Sequence, residues 1–265
     1  MCAHESPLAL MDSVGDEEDY AYALVHHFEN KEKGYFDYFK RMLAGNKEVV
    51  LDNSIFELRE AFDTKKFIGW IEKLEPTYYI VPDVLEEGYS TMTNFVSWVK
   101  DYKDVPGMKM GVVQGSTYQE IADCYNFMKD YADYVCISFD MSYYSVIGLG
   151  REEQLRRCTG RQRLIQQLID DGHWAWHKPH HLLGCSLARE FKWYIDNNVH
   201  NIRSLDTSNP VIAGIAGQTY NGTLGLNEEI HLADKLGEVF RGEEFSDDIK
   251  DNIKYNIGSF QKIVS

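Results

Sequence analysis

Val49-Val50-Leu51-Asp52-Asn53-Ser54-Ile55-Phe56-Glu57-Leu58 and Ser204-Leu205-Asp206-Thr207-Ser208-Asn209-Pro210-Val211 decide the reading of this chain, because each is a β-branched or apolar run that ends in one aspartate. A short apolar run of this kind reads as a buried strand, with the aspartate at its C-terminal end. In an α/β barrel the C-terminal strand ends face the active site, so Asp52 and Asp206, far apart in sequence, can converge on one substrate. Two carboxylates offered in this way suit a displacement at a sugar carbon.

Outward from these segments the chain alternates short apolar runs with longer amphipathic stretches. The runs are Leu8 to Met11, Glu48 to Leu51, Thr77 to Val81, Met108 to Val113, Tyr134 to Phe139, His181 to Cys185, Asn201 to Leu205 and Val211 to Ile215. Between them lie Glu17 to Leu43, Phe56 to Leu74, Tyr89 to Tyr102, Tyr118 to Tyr131, Glu152 to Asp170, Leu187 to Asn197 and Asn227 to Phe240, and Asp247 to Ser265 reads as a closing helix. Strand followed by helix, repeated in this way, predicts a (β/α)8 barrel of class α/β. A doubly wound open sheet uses the same alternation and is the runner-up. No internal repeat, low-complexity tract or Pro/Gly-rich linker divides the chain, so residues 1–265 are expected to form a single domain.

Composition narrows the class. A chain of 265 residues with 44% hydrophobic content can bury a large core. No stretch approaches the roughly 18 consecutive apolar residues of a membrane span, and Met1 to Pro7 lacks the basic start and apolar centre of a signal peptide. The expectation is a soluble, cytoplasmic protein with no membrane partner. Its 5 cysteines are odd in number and form no C-x-x-C pair, which argues against a disulfide framework and a zinc knuckle. The net charge of −15 repels nucleic acid at long range, so a polyanion would have to be held by local basic patches. One dense basic stretch exists, with Arg151, Arg156, Arg157, Arg161 and Arg163, followed by Trp174, Trp176, Lys178 and a histidine cluster. Cations interleaved with aromatics suit a strand backbone and splayed bases, and Arg156, Arg157, Arg161 and Lys178 are the candidate nucleic-acid contacts. The bland alternative is a solvated, arginine-rich helix face.

The predicted strand ends carry a consistent set of polar groups: Asp52, then Asp83 after Pro82, Gln114-Gly115, Ser138 with Asp140, Gly184, and Asp206. Any one of these aspartates alone also fits a helix N-cap at a βα turn. Phe56 alone fits a core position as well as a stacking platform. Their recurrence at corresponding positions points to a site.

Several of these segments resemble, in order, the queuine tRNA-guanine transglycosylases. Asp52-Asn53-Ser54-Ile55-Phe56-Glu57 resembles their Asp-Ser-Gly-Gly-Phe-Gln, and Gly111-Val112-Val113-Gln114-Gly115 their Gly-Ile-Val-Gln-Gly. Tyr134 to Phe139 lies where their Tyr-Ala-Ile-Gly-Gly falls, and His181-Leu182-Leu183-Gly184 looks like their Tyr-Leu-Met-Gly. Ser204-Leu205-Asp206-Thr207 with Asn209-Pro210 and Asn221-Gly222 is similar to their Phe-Asp-Cys-Val-x-Pro-Thr-Arg stretch and the Asn-Gly beyond it. The departures are specific. No cysteine follows Cys185, so the tRNA enzymes' zinc site of three cysteines and a histidine has no counterpart, and Ser54, Ile55, Val211 and Ile212 replace family residues. A short, zinc-free relative looks more like the phage and bacterial DNA 7-deazaguanine transglycosylases.

The resemblance implies exchange of guanine in DNA for a 7-deazaguanine such as 7-cyano-7-deazaguanine, with no cofactor and with tRNA as the alternative polymer. Asp206 matches the family nucleophile, which captures C1′ of the sugar covalently. Asp52 matches the acid that protonates the leaving base and deprotonates the incoming one. Asp83 would accept from the purine N1–H and exocyclic amine, Gln114 would donate to O6, and Phe56 would stack on the base. Gly115, the Ser138 region and Gly184 would line the same pocket. The target base must leave the duplex or be presented single-stranded. Two rivals come from other classes. The run from His173 to His181, with Asp52 and Asp206, could furnish the metal site of a barrel hydrolase, or a catalytically silent barrel could bind deazaguanine or DNA. The sequence leaves the oligomeric state open, a homo-oligomer included.

Overall fold

The computed structural model describes residues 1–4, 6–30, 34–185, 187–220 and 245–265. The expected helix from Asn227 to Phe240 and the Asn221-Gly222 pair lie outside the described residues. The strands are β1 (Cys2–His4), β2 (Ala21–Leu24), β3 (Val49–Asp52), β4 (Tyr78–Ile80), β5 (Met108–Val113), β6 (Tyr134–Ile137), β7 (His180–Leu182) and β8 (Ile202–Thr207). The helices are α1 (Leu8–Val14), α2 (Val25–Glu29), α3 (Tyr35–Ala44), α4 (Ile55–Leu58), α5 (Thr64–Leu74), α6 (Gly88–Asp101), α7 (Tyr118–Tyr131), α8 (Tyr143–Ile147), α9 (Glu153–Asp170), α10 (Ala188–Asp196), α11 (Asn209–Ile215) and α12 (Asp247–Val264).

All eight strands belong to one sheet of order β1-β8-β7-β6-β5-β4-β3-β2, and every neighbouring pair is parallel. β1 and β2 meet at the seam, where the Cys2 N–H donates to the Asp19 carboxylate at 2.7 Å and the Asp19 N–H donates to the Cys2 carbonyl at 3.1 Å. The result is a nearly closed (β/α)8 barrel.

The expected strands from Glu48–Leu51 through Asn201–Leu205 are found, with small shifts at their ends. The first and last differ. Leu8–Met11 is helical, beginning after Pro7 and burying Leu10, Met11 and Val14. Val211–Ile215 is also helical, in a segment opened by Pro210, whose fixed φ suits the first turn of a helix. Short apolar runs do not separate strand from buried helix by periodicity. The two strands that take their places are β1 and β2, the latter inside the stretch expected to be helical from Glu17 to Leu43. Its four residues are buried on both faces, so no alternation betrays it.

Side-chain alternation sorts the strands into two layers. Ala3, Tyr22, Leu24, Val50, Ile80, Met110, Val112, Tyr134 and Cys136 fill the barrel interior together with Tyr20. Ala21, Ala23, Val49, Leu51, Tyr79, Val81, Val113, Val135, Ile137 and Leu205 point outward into the layer beneath the helices. Helix stripes such as Phe67, Ile71 and Leu74 on α5, or Ile121, Tyr125 and Met128 on α7, close that layer, each such side chain contributing about 1.5–3 kcal/mol on burial. At the C-terminal end α12 packs Ile253 and Ile257 against Leu10, Val14 and Val211 of α1 and α11. Among the described residues no helix is long and apolar enough to cross a membrane.

Candidate active site

Register places both aspartates in the barrel mouth. Asp52 stands beside Leu24 of β2 and Asp206 beside Ala3 of β1, and both partners belong to the interior layer. Residues in register on parallel strands share a face, so both carboxylates point inward at the C-terminal end. Only β1 and β2 separate their strands around the barrel.

Asp206 is buried and held by three N–H contacts. The Gly184 N–H lies 3.1 Å from both carboxylate oxygens, and His181 Nε2 lies 2.9 Å from Oδ1. Gly184, two residues beyond β7, has φ +59, a left-handed conformation that favours glycine and turns its N–H onto the carboxylate. Oδ1 thus accepts from two donors and Oδ2 from one, which leaves Oδ2 the freer lone pair. His181 continues the network downward: Nδ1 lies 2.9 Å from Ser204 Oγ, which lies 2.8 Å from the Tyr134 hydroxyl. Ser204, His181 and Asp206 share the residue types of a hydrolytic triad, but the serine is buried on the barrel axis and hydrogen-bonded to tyrosine, with no approach for an acyl substrate. Its place is that of a support for the imidazole.

Asp52 meets a different environment. The Tyr22 hydroxyl donates to its Oδ2 at 2.6 Å and the Ser54 N–H to its Oδ1. Burial, and then the charges of Glu57 and Asp206, push its carboxyl well above the ordinary carboxylate range, against these two hydrogen bonds. Glu57, on α4, is itself pushed up by burial and by Asp206. Tyr22 joins the two carboxylates, since its ring also stacks on His181, with centroids 6.1 Å apart and planes at 12°. Tyr22, His181 as partner of Asp206, and Glu57 escape the reading of the sequence. Tyr22 lies in a misassigned segment, and His181 looked like one member of a histidine run.

The other expected residues gather at the same mouth in altered roles. Asp83 is buried, and its oxygens accept from Asn53 Nδ2 at 2.9 Å and Gln114 Nε2 at 2.8 Å; burial raises its carboxyl. Gln114 also accepts from the Glu86 N–H at 3.1 Å, so its amide braces Asp83 from behind. Gly115 packs against Ile121, where a Cβ would stand 2.9 Å from the Ile121 backbone nitrogen. The Ser138 carbonyl accepts from the Tyr144 hydroxyl at 2.8 Å and its hydroxyl from the Asp140 N–H at 3.3 Å. Phe56 is 41% exposed, which removes the core alternative, and Arg59 lies over its ring at 4.3 Å.

The basic candidates divide. Arg161 is not a surface cation: it is fully buried on the apolar stripe of α9, ion-paired with Glu190 at 2.6 Å. Its guanidinium donates to the carbonyls of Ile137, Leu183 and Gly184, fastening the strand ends that present Gly184 to Asp206. Lys178 precedes β7 and donates to the Ala132 carbonyl at 2.6 Å, so it sits at the opposite end of the barrel from the mouth. Arg157 is neutralised by Asp140 and Glu153. Arg156, like Lys178, pairs with no carboxylate among the described residues, and it donates to the Arg151 carbonyl at 2.7 Å.

The histidine run does not converge. His173 faces Asn126 at 3.0 Å and His177 is exposed. His180 is stacked on Trp174 and hydrogen-bonded to Tyr125, while His181 turns inward to Asp206. Among the described residues no group of three or more His, Cys, Asp or Glu is arranged to hold a metal ion. Compared with known proteins, the chain matches no family model and no curated protein. The transglycosylase resemblance therefore rests on its sequence motifs.

Two measurements check the site. Arg161→Ala leaves Glu190 buried without its partner and is expected to cost about 3–5 kcal/mol in urea unfolding, whereas Arg156→Ala should stay within about 0.5 kcal/mol. Equal, small losses would contradict the reassignment. Asp52 holds its proton to higher pH when folded than when unfolded, so its stabilising contribution is present below about pH 4 and is lost as pH rises through the folded value. Relative to Asp52→Asn, the wild-type protein should therefore gain stability as pH falls from neutral toward about 4; a gap that widens the other way would refute the burial of this carboxyl.

Proposed function

We propose that the chain is a base-exchange transglycosylase that replaces guanine in DNA with a 7-deazaguanine through a glycosyl ester on Asp206. The observation that carries this reading is the contrast between the two carboxylates at the barrel mouth. Asp206 accepts from the N–H groups of Gly184 and His181, while burial and the charge of Glu57 hold Asp52 toward its neutral form. Titratable pairs whose surroundings differ in this way divide into nucleophile and acid.

The steps balance on these residues alone. Asp206 Oδ2 attacks C1′ as the bond from C1′ to N9 of guanine lengthens, and N9 takes the Asp52 proton. Oδ1, carrying the His181 and Gly184 hydrogen bonds, becomes the carbonyl oxygen of the ester. The incoming deazaguanine then gives its N9 proton to Asp52, attacks C1′, and restores the Asp206 carboxylate. His181 orients Asp206 throughout, its Nε2 on the carboxylate and its Nδ1 on Ser204. Asp83, fixed by Asn53 and Gln114, is the acceptor available for the purine N1–H and exocyclic amine. Phe56 offers the exposed ring on which a base stacks.

The test is incorporation of radiolabelled guanine into acid-precipitable polymer, with DNA and tRNA in parallel. The wild-type protein should label DNA. Asp206→Asn, which keeps the shape but forms no stable ester, should lose at least about a thousandfold in rate while remaining folded. Asp52→Asn should lose about a hundredfold to ten-thousandfold, the span of general acid–base catalysis. Labelling of tRNA alone would reassign the polymer, and a folded Asp206→Asn protein with near wild-type exchange would remove the nucleophile from the account.

A further inference from the structure

The last turn of α8 and the loop that joins it to α9 hold two apolar side chains, Val146 and Leu149, out into solvent. Val146 is 79% and Leu149 57% exposed. The loop follows β6, so it stands on the rim of the same barrel face as Asp52 and Asp206. It is fastened down at several points. The Leu149 N–H donates to Thr159 Oγ1 at 2.7 Å, and the same oxygen lies 2.8 Å from the Leu149 carbonyl. Arg163 donates to the Ile147 carbonyl at 2.7 Å and Arg156 to the Arg151 carbonyl at 2.7 Å. Glycine permits the close approach, since a Cβ on Gly148 would stand 2.0 Å from the Arg156 carbonyl oxygen, and Gly150 has φ +127 against Leu155. The two side chains are therefore presented by a rigid tip.

Cations surround this tip. Arg151 and Arg163 are exposed and Arg156 is half-buried, and none of the three pairs with a carboxylate among the described residues. The hydrogen bonds of Arg156 and Arg163 go to carbonyls, which orient a guanidinium without cancelling its charge. Glu152, exposed beside Arg151, offsets one of these charges, and Glu153 is taken up by Arg157; in a chain of net charge −15 the surplus of guanidiniums around one apolar tip is still a local reversal of sign that favours a polyanion.

We propose that Val146 and Leu149 form a wedge that enters double-stranded DNA at the base step vacated by the target guanine, with Arg151, Arg156 and Arg163 on the flanking phosphates. The proposal rests on the transglycosylase reading, in which the base must leave the stack to reach Asp206. Apolar side chains inserted at a base step replace the lost stacking and hold the duplex open. A protein surface that buried this tip would leave three arginines unpaired, whereas a duplex supplies phosphates on both sides of each step.

The test uses the full chain with a guanine-containing duplex carrying 2-aminopurine beside the guanine, and with the same sequence single-stranded. Wild-type protein should raise the 2-aminopurine fluorescence of the duplex. The Val146→Ser, Leu149→Ser double variant, with its melting temperature unchanged, should lose that rise and lose at least about tenfold of its duplex exchange rate while keeping the single-strand rate. Arg151→Ala with Arg163→Ala should flatten the dependence of log affinity on log salt by about two phosphate contacts. A double variant that opens the duplex like wild type, or that keeps the wild-type ratio of duplex to single-strand exchange, would overturn the wedge. A change from dimer to monomer in that variant would overturn it too, by assigning the tip to a subunit contact. Fluorescence reads the wedge without turnover. A wild type that opens the duplex yet exchanges no base would refute the chemistry and keep the wedge, and one that exchanges bases without opening the duplex would do the reverse.

Discussion

A guanidinium with no access to solvent, that of Arg161 in α9, governs the geometry of the barrel mouth. It is bound on one side by both oxygens of Glu190 from α10 and on the other by the backbone carbonyls that end β6 and β7. Taking two ions out of water costs several kcal/mol per ion, and only a nearly complete set of hydrogen bonds offsets it. That set is present, with Tyr194 adding a hydroxyl to Glu190 at 3.1 Å and Phe139 lying under the guanidinium at 5.0 Å. The consequence reaches the chemistry through one residue. Gly184 gives its carbonyl to Arg161 and its N–H to Asp206, so the ion pair beneath the strand ends sets where the Asp206 carboxylate stands.

From Tyr134 at the lower end to Asp206 at the upper, the barrel interior carries one continuous polar thread through otherwise apolar packing: Tyr134, Ser204, His181 and Asp206. In a poorly screened interior such a thread orients every member of it, because each donor has only one acceptor to choose. Tyr22 adds the cross-link, stacked on His181 and donating to Asp52. The two carboxylates therefore share one rigid frame, yet Asp206 accepts from imidazole and backbone N–H groups while burial and negative neighbours hold Asp52 toward its neutral form. The proposed division into nucleophile and acid rests on that difference.

Much of this was legible in the sequence, for identifiable reasons. Asp52 and Asp206 end apolar runs, and strand ends in a barrel have only one face on which to gather, so two short segments located the barrel mouth and the candidate site in it. The first two strands were hidden, because Cys2–His4 is very short and Ala21–Leu24 is buried on both faces and shows no alternation. Arg161 was misread as a surface cation because it stands among four other arginines. The α9 stripe of Cys158, Arg161, Ile165 and Leu168 carried the signal, since an arginine at an apolar position of a helical period is a buried arginine. His181 was visible only as part of a histidine run, and its role depends on β7 pairing with β8, a contact between residues 25 apart that no local pattern encodes.

The central claim is that Asp206 forms the bond to the sugar. The direct measurement is the mass of the protein quenched by acid within its first turnover on a guanine-containing oligonucleotide, followed by peptide mapping. The account predicts a protein–DNA adduct lacking one guanine, located on the peptide that contains Asp206. Base exchange proceeding with no such adduct, or an adduct located on a peptide without Asp206, would contradict it.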